Sequence, residues 1–480
     1  MSERGPLAAL AALAPRHGQA WLVGGAVRDA LLGRPTPDYD IAVQGDAGAL
    51  AGELGRRAGG HVFRLSEAFG AWRVRAHDQR WQVDLTPLMG PTLEADLRRR
   101  DLTINAIARE LTADGAGALI DPCGGVADLR ERRLRSVGSA SFETDPLRVL
   151  RLARLAAELG FTVEPDAASL ATAAAPRLAE VAAERVFTEL RLILLSDGAV
   201  PGLGLARQLG ATAAVLPELD ALAGVQQSDY HHLDVFHHTL ATLQEVIDLE
   251  RDPSAVFGRC TPELRAVLDA PLANELTRGQ ALRFGALLHD IAKPVTLGRS
   301  AEGRPTFFEH DVRGAELATV ILSRLRASER LTAHTAALAR HHLRLGFLVH
   351  ERPLTRRAVY RYLNTCEPVE VDVTVLSVAD RLATRGRNAD RAVALHLDLA
   401  RELLGPALAW HRNRPRPPLA GDDLAEALGI APGPELGRLL AALTEAAYAG
   451  EVQGRDAVLA RAREWLAERP SAAAAPGADR

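Results

Sequence analysis

"VGGAVRDALLGRPTPDYDIAV", from Val23 to Val43, constrains the chain most. An apolar run ends at Gly24-Gly25, a helical pattern follows and closes at Gly33, and two aspartates one residue apart open a second apolar run. That order requires a mixed α/β start, with strands at "AWLVGG" and "DYDIAV" around the helix "AVRDALLG". A glycine pair between strand and helix exposes free backbone N–H groups at the helix start, where a phosphate can approach closely. Arg28 in the first turn can add a bidentate contact. Asp38 and Asp40 project from one strand face and together can hold Mg²⁺, which favours carboxylate oxygen and keeps places for water and phosphate. The pair alone is weak: 61 acids in 480 residues give an acid-x-acid pattern about eight times by chance. Its order within twenty residues of the glycine turn favours phosphate chemistry.

The next segments strengthen that reading. "WRVRA" and "RWQVDLT" read as further strands, the second placing Asp84 as a third candidate carboxylate. "DLRRRDLTINAIA" sets Arg98, Arg99 and Arg100 beside Asp101 and Asn105. A solvated basic turn with a helix cap is the bland account. The functional account gives the arginines to phosphates and Asp101 and Asn105 to sugar hydroxyls. "DPCGGVADL" is a glycine turn, and "FETDPLRVLRLAR" opens a helix with Asp145 and Arg148.

Length and composition set limits. The chain is long enough for about three or four domains. Its hydrophobic content, 47%, and charged content, 25%, are ordinary for globular proteins. The formal net charge of −4 does not advertise nucleic-acid binding. Lys293 is the single lysine, and the arginine excess is read first as genomic base composition, so local clusters carry more weight than totals. Cys123, Cys260 and Cys366 form neither a disulfide framework nor a thiolate metal site. Without a secretory leader pattern or an apolar run of membrane-spanning length, a cytoplasmic setting with no membrane partner is expected.

Four regions and a tail are expected: a catalytic head at 1–137, a helical neck at 138–205, a histidine-rich helical region at 206–404, a C-terminal helical region at 405–468, and a disordered tail at 469–480. The fold class is an α/β head with a small mixed sheet, followed by mostly α-helical domains. The third region gathers "VFHHTLATLQ", "ALLHDIAKP", "FFEHDVRGAEL", "ARHHLRLG" and "VLSVADRLATRGR". Imidazole and carboxylate together suit Mn²⁺, Ni²⁺, Co²⁺, Fe²⁺ or Zn²⁺. A lone histidine on an apolar helix is more often packing than ligand, but most of the chain's 15 histidines fall here.

In its first 200 residues the chain resembles the class II tRNA nucleotidyltransferases and bacterial poly(A) polymerases. "GGAVRDALLG…DYD" resembles their catalytic motif, "RRRDLTINA" their ribose-recognition motif and "DPCGGVADL" their connecting motif. "TDPLRVLRLAR" resembles the base-selection motif and "ERVFTEL" the neck motif. The resemblance implies template-independent addition of nucleotides to RNA 3′ ends. Asp38, Asp40 and Asp84 are then catalytic, with Mg²⁺ on the first two. Gly24, Gly25, Arg28, Asp101, Asn105, Asp145 and Arg148 bind CTP, ATP or both, and the acceptor is a tRNA 3′ end. Two departures stand out. Thr144 occupies the position where the family has a glutamate that steadies Arg148, leaving neighbouring Glu143 as an alternative. Only the thirteen residues "LTPLMGPTLEADL" separate Asp84 from Arg98, and such a shortened segment resembles the branch that adds only cytidines.

The third region resembles an HD-superfamily phosphohydrolase. The resemblance implies His238, His289, Asp290 and Asp380 as core ligands, with His310 and His342 extending the site to two metals and Lys293 assisting phosphate. The ion expected is a transition metal from the set above or Mg²⁺. The pairs His237-His238 and His341-His342 leave the register open by one; His238 directly precedes "TL", as in the family pattern. Stringent-response nucleotide synthetases join similar domains but place the HD domain first and lack "RRRDLTINA". In the last region, "HRNRPR" (residues 411 to 416) supplies Arg412, Arg414 and Arg416, and "GIAPGPELG" supplies Gly433 and Gly437, as RNA-backbone contacts. Within the class the alternative is a poly(A) polymerase. Outside it, the alternative is an RNA-binding HD phosphohydrolase with an inactive transferase head. Oligomeric state is not legible.

Overall fold

The computed structural model describes residues 5–113, 115–228, 231–386 and 389–468. The segment 469–480, expected as a disordered tail, lies outside the described residues. Contacts divide the chain into one unit ending at Pro217 and another beginning at Glu218.

The first unit is built on seven strands: β1 (Gly18–Val23), β2 (Asp38–Gly45), β3 (Gly60–Ser66), β4 (Ala71–Ala76), β5 (Gln82–Pro87), β6 (Ala108–Thr112) and β7 (Gly115–Ile120). They lie in the order β3-β4-β5-β2-β1-β6-β7. Only the β2–β5 pair is parallel; the others are antiparallel. Side chains alternate between sheet faces, and β2 shows why that matters. Ile41 and Val43 are buried on one face. Asp38 and Asp40 share the other face with Ala42, which packs with Trp21, Val23, Leu93 and Leu97. The carboxylates thus continue a buried stripe into the open.

Leu93 and Leu97 belong to the short segment between Asp84 and Arg98, so that segment packs on the carboxylate-bearing face. It folds as the helix Leu93–Leu97, whose start is capped by the Thr92 hydroxyl accepting from the Ala95 N–H at 3.2 Å. The Asp96 carboxylate accepts from the Met89 N–H at 2.9 Å.

Beyond the sheet, "DPCGGVADL" begins the helix Gly125–Glu131. A Cβ on Gly125 would stand 2.1 Å from the Thr103 carbonyl oxygen, so only glycine lets this helix approach the turn that carries Asn105. Gly125→Ala is expected to destabilise the first unit by about 2–3 kcal/mol, the range of an overpacked core, read as a lower denaturation midpoint. The neck helices Arg148–Leu159 and Ala183–Leu195 follow. The helix Ala199–Gln208 packs against Arg148–Leu159 within the first unit.

The second unit is mostly helical, with two short two-stranded ribbons. Val235–Arg251, Arg278–Leu288, Glu329–His341 and Glu370–Ala383 surround one core. Further on, Leu424, Leu436, Leu439, Leu443, Val458 and Trp465 hold together the C-terminal helices Gly421–Leu428, Pro434–Ala449 and Arg455–Ala467. The expected class, an α/β head followed by helices, is the one observed. Among the described residues no helix is long and apolar enough to cross a membrane.

Candidate active site and metal centre

The parallel register sets Asp40 opposite Asp84, and the antiparallel register sets it opposite Val23, next to Gly24. Asp38, Asp40 and Asp84 therefore share a face. Asp40 stays open to the cleft although protein crowds it on most sides. Burial raises its pKa first, Arg100 opposes that, and the Asp84 and Asp38 carboxylates raise it further. Carboxylates that repel one another in a cleft are what a divalent cation would relieve, so these residues fit Mg²⁺.

Each carboxylate has its own support. Asp84 takes a bidentate contact from Arg73 on the neighbouring strand, with Nε at 2.6 Å and Nη2 at 2.7 Å. Gly24 adopts φ +70°, and a Cβ there would stand 2.8 Å from Arg100 Nη1 and 3.7 Å from Asp40 Oδ2. Arg100 therefore lies beside Gly24 and Asp40, and its buried Nε lacks a hydrogen-bond partner among the described residues. Arg28, expected on phosphate, is buried at the cleft wall. Its guanidinium donates to both Asp29 oxygens at 2.9 Å and to Asn105 Oδ1 at 2.9 Å. It orients Asn105 more than it faces the cleft.

Asp101 is also engaged within the protein. Its carboxylate accepts from the Leu102 N–H at 2.8 Å, Asn105 Nδ2 at 3.1 Å and Arg151 Nε at 2.9 Å. Burial alone would raise its pKa, but Arg151 and the hydrogen bonds hold it well below the usual carboxylate range. Asp145 accepts from Arg185 at 2.8 Å, and Asn105, Asp145 and Arg148 line the same cleft, of about 460 Å³, as the glycines, Asp38 and Asp40. Thr144 makes no hydrogen bond to Arg148 among the described residues; its hydroxyl donates to the Ala140 carbonyl. Glu143 does not replace the absent acid either: its backbone carbonyl accepts from Arg177, and it is no partner of Arg148 among the described residues. Backbone carbonyls hold Arg148 instead, Arg99 at 2.8 Å, Ser141 at 3.0 Å and Arg100 at 3.2 Å.

In the second unit the histidines converge. His238 lies on Val235–Arg251, His289 and Asp290 end Arg278–Leu288, His310 starts its helix, His342 ends Glu329–His341, and Asp380 lies on Glu370–Ala383. Two groups suit a cation: His238, His289 and Asp290, and Asp290, His310 and His342. Asp290 belongs to both. Asp380 accepts from His238 Nε2 at 3.0 Å.

The hydrogen bonding fits metal ligation. His289, His310 and His342 each turn Nδ1 to a backbone carbonyl, of Ala286, Phe307 and Ala339, at 2.7–2.8 Å. The buried Nε2 atoms of all three and the buried Asp290 Oδ1 make no hydrogen bond among the described residues, although each Nε2 lies 3.2–3.7 Å from an Asp290 oxygen. A carbonyl that fixes the Nδ1–H tautomer leaves an Nε2 lone pair pointing inward, the form a cation takes. Burial pushes His342 down to about 4, so its ring is neutral at neutral pH. The open registers resolve by burial: His238 and His342 face the cluster, while His237 is exposed on Asp234 and His341 pairs with Arg344. Lys293 donates to Asp290 at 2.7 Å and to Gln227 at 2.6 Å. His231, absent from the sequence expectation, stacks edge-on against His238 at 5.2 Å.

The C-terminal residues meet in part. Arg412, Arg414, Arg416 and Gly437 line one groove with Tyr360 and Asn364. Arg412 pairs with Glu263 at 3.2 Å and Arg414 with Glu367 at 3.0 Å, which reduces the positive charge they offer. Gly433 is not part of that lining; it precedes the helix Pro434–Ala449.

The family model "Poly A polymerase head domain" matches residues 20–135, "Probable RNA and SrmB- binding site of polymerase A" matches 160–222, and "HD domain" matches 235–385. An A-adding tRNA nucleotidyltransferase of Deinococcus radiodurans is 38% identical, covering 94% of this chain and 96% of its own. A CC-adding tRNA nucleotidyltransferase of Thermus thermophilus is 36% identical over 95% of each chain. The solved structure of a CCA-adding enzyme with CTP shares the fold, with a TM-score of 0.64 at 20% identity over 96% of this chain and 94% of that one. A polymerase-type head with three aligned carboxylates, a neck that reaches its cleft, and relatives alike over nearly their whole length place this chain in the tRNA nucleotidyltransferase and poly(A) polymerase family, with an HD domain fused after the neck.

Proposed function

We propose that the chain adds nucleotides to tRNA 3′ ends without a nucleic-acid template. The observation that carries this is the register that sets Asp38, Asp40 and Asp84 on one face beside Gly24-Gly25, in the unit whose cleft also holds Asp145 and Arg148. Asp38 and Asp40 would hold Mg²⁺, which supplies charge neutralisation at the α-phosphate and lowers the pKa of the RNA 3′-hydroxyl. The chain's own residues do the rest. Asp84, fixed by Arg73, adds a third carboxylate on the same face. Asn105, oriented by Arg28 and Asp101, meets the sugar, and Arg100 meets phosphate. Asp145 and Arg148 present a polar edge to the base, where a wrong partner leaves a donor unpaired. The test is extension of tRNA transcripts lacking CCA, lacking A, or complete, with each nucleotide separately. Long ATP-only extension of unrelated RNA would favour a poly(A) polymerase.

Cytidine is the proposed nucleotide, with addition ending at CC. The segment between Asp84 and Arg98 is short, packs through Leu93 and Leu97, and is pinned by Asp96. It is poorly built to reorganise when the required base changes, because rearrangement would break core contacts. The relatives include enzymes named for each specificity. With ATP alone, tRNA ending in CC is expected to gain less than a tenth of the product that CTP gives on tRNA lacking CCA; comparable rates would refute the cytidine limit.

The second unit supports a second reading, a metal-dependent phosphohydrolase acting on RNA-end phosphates such as 2′,3′-cyclic phosphates. Its support is the set of buried Nε2 atoms around Asp290 that make no hydrogen bond among the described residues. His238, His289, Asp290, His310, His342 and Asp380 would hold the ions, and Lys293 would face the phosphate. Arg416 and the groove around it are proposed to contact the RNA backbone.

A further inference from the structure

The family acid that steadies the base-selection arginine is absent here, yet Arg148 is held firmly. Its Nη1 donates to the carbonyls of Ser141 at 3.0 Å and Arg100 at 3.2 Å and to Ser141 Oγ at 3.3 Å. Its Nη2 donates to the Arg99 carbonyl at 2.8 Å. Nη1 is thus engaged three times and Nη2 once, while Nε and one of the two Nη2 hydrogens have no partner among the described residues.

Ser141 ties this arrangement together. It is buried, its hydroxyl donates to the Asp101 carbonyl at 2.8 Å, and it also accepts from Arg148. One side chain thus links the backbone of the "RRRD" segment to the arginine. The two acceptor carbonyls of that segment directly follow the short helix Leu93–Leu97, whose own position is pinned by Asp96 and Met89.

We infer that Ser141 is a positioning residue that, with the carbonyls of Arg99 and Arg100, fixes Arg148 with two parallel donors facing the incoming base and so selects cytidine. The inference rests on the transfer reading above. Two donors from Arg148 followed by an acceptor from Asp145 complement a base edge of acceptor, acceptor and donor. Cytosine offers that row in O2, N3 and the N4 amino group. Adenine offers one ring acceptor and one amino donor on that edge, so one arginine donor goes unpaired. Uracil sets its N3–H against a donor. Turning the guanidinium to suit another base would break several bonds to backbone at once, and a carbonyl cage cannot follow the arginine as a flexible glutamate side chain would.

The test compares kcat/KM for CTP and UTP on the same tRNA lacking CCA. Ser141→Ala is expected to lower the CTP:UTP preference about fivefold to tenfold, the scale of one ordinary lost hydrogen bond. Ser141→Thr, which keeps the hydroxyl, should restore at least half of it. A wild-type ratio in Ser141→Ala at an unchanged melting temperature overturns the proposal. Should Ser141→Ala fail to fold, Thr144→Glu decides: the cage already engages Nη1 and Nη2, so the ratio should move less than twofold, and a tenfold gain would mean that Arg148 was not held. Preference of the unmodified protein for ATP over CTP would also overturn the orientation argument. Failure of the transfer reading itself looks different, since no nucleotide would then be added to any tRNA.

Discussion

Asp40→Asn is expected to lower nucleotide addition by about three orders of magnitude while the protein stays folded. The substitution keeps shape and removes one charge from a group of carboxylates that repel one another, so the free protein loses little and gains some relief from the crowding that raises the Asp40 pKa. What it loses is the anion that would hold Mg²⁺ against the triphosphate. That contribution is several kcal/mol, at about 1.4 kcal/mol per tenfold in rate. Asp84→Asn separates the two roles of the neighbouring strand. Asp84 holds a bidentate pair with Arg73 that is partly exposed, so its loss should cost some stability as well as rate. The measurement is single-turnover extension of end-labelled tRNA, with thermal melting as control. Unchanged extension by Asp40→Asn would revive the reading in which the head only binds RNA.

The head was largely legible because its chemistry is written locally. Gly24-Gly25, Asp38 and Asp40 lie within twenty residues, and period-two alternation alone puts both acids on one face. The supports were not legible, since each comes from a distant segment: Arg151 reaches Asp101 across 50 positions and Arg185 reaches Asp145 across 40. The partner of Arg148 was hidden for a different reason. The sequence directs attention to an acid near Thr144, but carbonyls hold the arginine, and a carbonyl has no residue-type signature. β3 also went unread. "GHVFRLS" is exposed along most of its length and lacks the one-sided apolar pattern that marks a half-buried strand. The histidines carried a strong local cue, yet "HH" cannot say which ring turns inward. The fold shows which ring turns inward: His342 reaches the Ala339 carbonyl through Nδ1 and points Nε2 at Asp290, and His238 sets Nε2 against Asp380.

Asp290 sits in both candidate cation groups, and that gives the second unit its sharpest prediction. His289 belongs only to the first group, and His310 and His342 only to the second. Metal content of the purified full-length protein, measured by elemental analysis after loading with Mn²⁺, should therefore fall by about one equivalent in His289→Ala and by about one in His342→Ala. In Asp290→Ala it should fall by about two, because the carboxylate shared by both positions is gone. Hydrolysis of a 2′,3′-cyclic nucleotide should drop at least a hundredfold in Asp290→Ala and His289→Ala, as expected when an ion that activates water is removed. Nucleotide addition should stay within about twofold of the unmodified protein, since none of these residues lies in the head's cleft. Folding is a real concern: Asp290 is buried with Lys293 and several imidazoles around it, and removing one member of a buried ion pair is costly. Intact nucleotide addition would not by itself show that the second unit is folded, so circular dichroism and melting of each variant are needed beside the assays. Equal losses of metal in all three variants would mean one shared ion rather than two, and normal hydrolysis by folded Asp290→Ala would remove the cluster from the chemistry altogether.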